Sequence, residues 1–185
     1  FQHDKVQQAC VEKIEAHEIN QIRYTIGNLL LHSDLLSKNE DRLFEIIDFL
    51  NSGYTLITDE TEKTILIELN LKASRKAKSS TAYNSALEFL QVALLLFSEN
   101  YWVNNYSLAY SLYFEYCEIT YLTGNLDLSI QTILDIIPKC TTNIDIGKFF
   151  NLLLIIYSVQ GNFEESYKIM IRSLKMFGID IEGED

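Results

Sequence analysis

Three histidines, His3, His17 and His32, and three cysteines, Cys10, Cys117 and Cys140, are the side chains best suited to metal or nucleophilic chemistry. His3-Asp4 has the makings of a metal-binding His–Asp pair, but that chemistry needs further His and Asp ligands from other helices. None stands at suitable spacing, and a structural or solvent-facing role is the simpler account of all three histidines. The cysteines are odd in number, far apart, and form no CxxC or Cys/His cluster. They predict neither a disulfide framework nor a zinc site, and they suit a reducing cytoplasm. No GxxxxGK[ST] loop, GxGxxG turn or GxSxG elbow occurs, so the commonest routes to nucleotide binding and serine hydrolysis are closed. Asp59, Glu60 and Glu62, like Glu164 and Glu165, fall at helix starts, where negative charge favours the helix dipole. The expectation is a segment without catalytic residues, metal or cofactor.

The remaining chemistry is that of recognition. Lys72, Arg75, Lys76 and Lys78 form the one basic cluster in a chain of net charge −11. The acidic balance argues against nucleic-acid or anionic-membrane partners, which need an excess of Lys and Arg. An aromatic run, Tyr101, Trp102, Tyr106, Tyr110, Tyr113, Phe114, Tyr116 and Tyr121, is dense for a surface helix. Trp102, Tyr106, Tyr110, Tyr113 and Cys117 follow i+3 and i+4 steps and read as core. Phe114 and Tyr121 fall on the opposite side.

These residues must be positioned by helices. The 185 residues hold one proline and seven glycines, too few breakers for a turn-dense β-sandwich, and 48% of them are hydrophobic, enough for a core. Apolar residues recur at helical spacing almost throughout. The pattern predicts nine helices, near Gln2–Ile14, Ile19–Leu36, Glu40–Leu50, Asp59–Lys78, Ala82–Phe97, Tyr101–Leu122, Asn125–Ile137, Asn143–Gln160 and Asn162–Gly178. Asp59 or Thr61, Asn125, and Asn143 or Asp145 are the expected caps. No apolar run is long enough to span a bilayer. Phe1 stands inside a helical pattern without a preceding Met, which fits a segment of a longer polypeptide.

Gly124-Asn125-Leu126 and Gly161-Asn162-Phe163 lie 37 positions apart, each between two amphipathic helices. Small residues follow each turn, Ser129 and Ser166, and Ala86 holds the same place after Tyr83. This resembles a degenerate tetratricopeptide pattern, in which a small residue lets two helices approach closely. The register aligns Asn70, Ala73, Ser74 and Ala77 with Tyr113, Tyr116, Cys117 and Thr120, and then with Phe150, Leu153, Leu154 and Tyr157. The expected fold is all-α, a right-handed array of antiparallel helical hairpins, with residues 1–55 as a helical adaptor and 56–185 as repeats. In that register Lys72, Arg75 and Lys78 line the concave side of the first repeat. Glu115, Glu118, Phe114 and Tyr121 line that of the second. Such a groove would orient an extended peptide or a neighbouring domain; the simpler alternative is solvated helix ends and core packing.

Two stretches carry a further resemblance. Phe1-Gln-His-Asp-Lys-Val-Gln-Gln-Ala9, continued by Gln21-Ile-Arg-Tyr-Thr-Ile-Gly-Asn-Leu-Leu30, resembles the end of the winged-helix region in bacterial signal-transduction ATPases with numerous domains. Glu68-Leu-Asn-Leu-Lys-Ala-Ser-Arg-Lys-Ala-Lys-Ser-Ser-Thr-Ala-Tyr83 is similar to the opening helical repeat of the same proteins, and Trp102 and the Tyr121–Gly124 turn also fit. The resemblance implies a cytoplasmic arm between an ATPase and a histidine kinase or cyclase output, in a parent that often begins with a Ser/Thr kinase. The family's ATP-binding residues have no counterparts in this chain. What it implies is a non-catalytic scaffold or sensor contacting protein partners or neighbouring domains. The alternatives are a small-ligand (inducer) sensor and a free-standing peptide-binding adaptor.

Overall fold

A computed structural model describes residues 16–37 and 42–180. Among them the chain forms nine α-helices, two 3-10 turns and no strand, so the all-α helical array is observed. The helices are α1 (Ala16–Ser37), α2 (Leu43–Asn51), α3 (Glu60–Ser79), α4 (Tyr83–Leu96), α5 (Tyr101–Asn104), α6 (Tyr106–Leu122), α7 (Leu126–Ile136), α8 (Asn143–Val159) and α9 (Phe163–Met176). The 3-10 turns are Tyr54–Leu56 and Ile137–Lys139, the second formed around Pro138. The helix expected over Gln2–Ile14 lies outside the described residues, as do His3, Cys10 and the His17 side chain.

The helix ends correct the sequence reading in three places. The single helix expected over Tyr101–Leu122 is two, because Asn105 leaves helical space at φ −148°, ψ 61° and its side chain accepts from the Leu108 N–H to start α6. Apolar spacing runs straight through this break, whereas asparagine offers the backbone a competing local hydrogen bond. Thr142, not Asn143 or Asp145, caps α8, its hydroxyl accepting from the Asp145 N–H at 3.1 Å. Asn125 precedes α7 but its amide donates to Thr123 Oγ1 instead of capping. Asp59 does cap α3, its Oδ1 accepting from Thr61 and Glu62 N–H at 2.9 and 3.0 Å.

Three hairpin turns share one closing pattern. Asn125 N–H donates to Thr120 O and Gly124 N–H to Tyr121 O. Asn162 repeats this with Tyr157 O while Gly161 pairs with Ser158 O, and Ala82 does so with Ala77 O while Thr81 pairs with Lys78 O. This helix-ending motif requires its central residue to be left-handed. Gly124 and Gly161 oblige at φ 83° and 71°; Thr81 is forced to φ 59°. Glycine has no Cβ to clash there, but a β-branched threonine does.

The chain divides into two compact units, residues up to Lys76 with Glu88–Phe97, and Ala77–Leu87 with Ser98 onward. In the first, Leu43 and Ile47 of α2 and Ala73 of α3 form a buried cluster backed by Leu69 and Phe89. Asn51 and Asn70 exchange reciprocal amide hydrogen bonds at 2.8 and 2.9 Å, and Asn70 also donates to Leu66 O, which satisfies a fully buried side chain. α1 approaches α2 closely through glycines. A Cβ on Gly27 would stand 2.9 Å from Leu50, and one on Gly53 would stand 2.6 Å from Tyr24.

The second unit has a larger, more aromatic core. Cys117, Ile133, Phe149, Phe150, Leu153 and Ile156 are buried at its centre. Tyr110 stacks on Phe114 at 5.8 Å, and both meet Phe149 edge-on at 5.6 and 5.4 Å. Trp102 stacks on Tyr113 at 5.5 Å. The small residue expected after the hairpin turn has its anticipated use: Ser129 is fully buried and donates to Cys117 O at 2.8 Å, linking α7 to α6.

Candidate functional site

Within the second unit an open groove of about 370 Å³ is lined by Phe114, Ile144, Gly147, Lys148, Asn151 and Phe177. Its walls are set by α6, α8 and the residue that follows α9. Gly147 makes the third wall possible, since a Cβ there would lie 3.1 Å from the Phe177 ring. Asn143 Nδ2 donates to Met176 O at 3.3 Å and ties the start of α8 to the end of α9. Ile144 is 66% exposed and Phe177 51%, so apolar surface is presented to solvent on both sides of the groove. Lys148 lies over the Tyr110 ring at 5.6 Å, a cation–π contact that holds its stem along the groove. The groove can therefore take an apolar side chain, with an amide and a cation beside it.

A second polar feature lies in the same unit. Glu115 is only 4% exposed, and Lys78 Nζ reaches its Oε1 at 2.6 Å and Glu118 Oε2 at 3.1 Å. Burial alone would disfavour the Lys78 charge, but its hydrogen bonds to Glu115 and Glu118 outweigh that and raise its pKa. The three groups form one ionic cluster. Such a cluster is a fold element first, because a buried carboxylate needs a cation.

The anticipated site residues are thus distributed as follows. Phe114 lines the groove while its other edge packs on Phe149. Lys78, Glu115 and Glu118 meet one another. Tyr121 is half-buried against the aromatic core. Lys72 and Arg75 are exposed on α3 in the first unit. Ile144, Lys148, Asn151 and Phe177 were not anticipated. A signal existed, since stepping 37 residues on from Phe114 and Tyr110 leads to Asn151 and Gly147.

Burial disfavours the thiolate at both described cysteines. Burial pushes the Cys117 thiol far above its ordinary range, with Glu118 adding to it, and raises Cys140 to about 11. Tyr106 is structural: its hydroxyl donates to Asp145 Oδ2 at 2.8 Å and accepts from Thr141 N–H at 3.1 Å, anchoring the start of α8. Among the described residues there is no group of three or more His, Cys, Asp or Glu that could hold a metal ion, and no helix long and apolar enough to cross a membrane.

The chain is similar to a Dictyostelium discoideum protein, "Hybrid signal transduction histidine kinase G", at 28% identity over 206 aligned residues. The match covers 98% of this chain and 6% of that protein. No family model matches the chain. No solved structure matches it either. The similarity accords with the signal-transduction part of the resemblance drawn above; an ATPase, a repeat family and a bacterial source are not shown by it.

Proposed function

We propose that this chain is a non-catalytic helical segment of a signal-transduction protein, and that it makes contacts with a protein partner or with neighbouring domains of its own polypeptide. The observation that carries this reading is the groove bounded by Phe114, Ile144 and Phe177, where exposed apolar side chains flank Lys148 and Asn151. It is open rather than enclosed, and suits an apolar anchor residue on an extended or helical segment. Similarity to one part of a much longer signalling kinase supports placement in a multidomain protein. The repeated hairpin closures at Thr81, Gly124 and Gly161 support a tetratricopeptide-like array, whose hairpins bury their apolar faces by stacking.

The test is photo-crosslinking from position 144 or 151 in the full-length parent protein, with crosslinked peptides identified by mass spectrometry. Crosslinks to another domain or a partner, lost in Phe177→Ser with helix content unchanged, are expected. Absence of crosslinks outside this segment would remove the reading, as would ATP turnover by the isolated chain.

A further inference from the structure

The first unit contains a cavity unrelated to the groove. It has a volume of about 190 Å³ and lies between stripes on two helices, one at 24, 28 and 31–32 on α1 and one at 62, 65–66 and 69 on α3. These i+3 and i+4 steps would ordinarily let two helices interdigitate. Here Leu50 and Ile57, both buried, occupy the bottom and leave the upper part open. Leu66 and Leu69 complete an apolar floor. Gly53 lets the chain run close beside Tyr24, since a Cβ there would lie 2.6 Å from the Tyr24 Cβ.

The rim is polar, and Glu62 is the one carboxylate among its described residues. The Tyr24 hydroxyl donates to Glu62 Oε2 at 3.3 Å, and Asn28 lines the same cavity. Glu62 is exposed, and His32 stands on the same rim. No lysine or arginine is among the described lining residues, and of the basic side chains next to them in sequence Lys63 is paired with Glu60 at 2.7 Å and Arg23 donates to Ser52 Oγ at 3.1 Å. Among its described residues the cavity therefore offers one carboxylate with no lysine or arginine lining it, a phenol oxygen, and aliphatic side chains. A ligand matching it has a cationic donor at one end and a compact apolar body at the other. A carboxylic or phosphorylated ligand would meet Glu62 with like charge. The volume is below the ~300–1,000 Å³ of drug-sized pockets, which suits a metabolite-sized ligand.

We propose that this cavity binds a small organic amine, its ammonium held by Glu62 and Tyr24 and its apolar body over Leu50, Ile57, Leu66 and Leu69. The site stands on the first unit alone and is independent of the groove reading. Charge-assisted hydrogen bonds are the strong contacts here, so the carboxylate decides the selectivity.

The experiment titrates the 185-residue chain with 2-phenylethylamine, 2-phenylethanol and 3-phenylpropanoate, by thermal shift and calorimetry. The amine should give saturable stabilisation, the alcohol bind at least tenfold more weakly, and the acid not bind. Glu62→Gln should weaken the amine at least tenfold with helix content unchanged. Ile65→Trp, at a position 43% exposed, should block the cavity without touching the charge, and it decides the matter if Glu62→Gln fails to fold. No saturable binding of the amine, equal binding of alcohol or acid, or amine affinity unchanged in both variants would overturn the proposal.

Discussion

The two units solve the same problem, a polar side chain inside an all-helical core, by different means. In the first, Asn51 and Asn70 satisfy each other as neutral amides. In the second, Glu115 is buried as one member of an ionic cluster with Lys78 and Glu118. A neutral pair costs less to desolvate and does not respond to pH. An ionic cluster is costly to break from one side and responds at the pKa of its cation. The surrounding cores differ in step: the first cluster is mainly aliphatic, whereas the second adds to its aliphatic residues a set of rings in mutual contact. The first unit should therefore respond to pH less than the second.

The largest expected effect is on the aromatic core. Phe149→Ala removes a fully buried ring that meets both Tyr110 and Phe114 edge-on, and should cost about 3–5 kcal/mol in urea unfolding. A cost near that of an exposed site would show that the rings are not the source of stability in this unit.

Lys78→Met comes next. It leaves Glu115 buried beside Glu118 without a cation, and should cost about 2–3 kcal/mol, below the ~3–5 of a fully buried pair because Lys78 keeps 28% exposure. Adding Glu115→Gln should recover part of the loss, and a double-mutant cycle measures how much. The same cluster sets a pH response. Lys78 is shifted up by its partners against the opposing effect of burial, and burial shifts Tyr106, Tyr110, Tyr113 and Tyr116 up. A folded pKa above the unfolded one gives stability in full below the unfolded value, lost as pH rises through the folded value. The second unit should thus weaken upward from pH 10.0 for the tyrosines and from 10.5 for Lys78. Among the described residues of the first unit only Tyr24 shifts the same way, so that unit should weaken far less. Hydrogen exchange followed from pH 8 to 11.5 separates the two, and parallel loss in both would erase the distinction.

Asn70→Ala strands the Asn51 amide and should cost about 1–3 kcal/mol, while the Asn51→Leu/Asn70→Leu double variant should be much closer to neutral. If the double variant costs as much as the single, the amides are contributing more than mutual satisfaction. The smallest effect is a gain: Thr81→Gly relieves a β-branched residue at φ 59° and should stabilise by about 1 kcal/mol, whereas Gly124→Ala should destabilise by a similar amount. Both are read as shifts in urea midpoint.

Much of the array was legible residue by residue. Helical periodicity located all the described helices except the break at Asn105, which an apolar pattern does not register. The turns at Gly124 and Gly161 and the close approach at Ser129 followed from local rules. The groove was legible only in part: Phe114 was anticipated, but Phe177 and Ile144 were not, because they reach it from separate segments. Lys78, Glu115 and Glu118 were anticipated as the walls of a charged groove and proved to be one another's partners.

What the sequence alone determines here is whatever depends on near neighbours in the chain: helicity, the side each residue faces, and turns that need a left-handed residue. Hydrogen bonds spanning three to five residues carry that information, and so it survives without a fold. What only the tertiary structure decides is which of the outward side chains meet another segment. The ionic cluster spans 40 residues from Lys78 to Glu118, and the cavity of the first unit 45 from Tyr24 to Leu69. At such separations the distance between two helices is set by everything packed between them, and no periodicity records it.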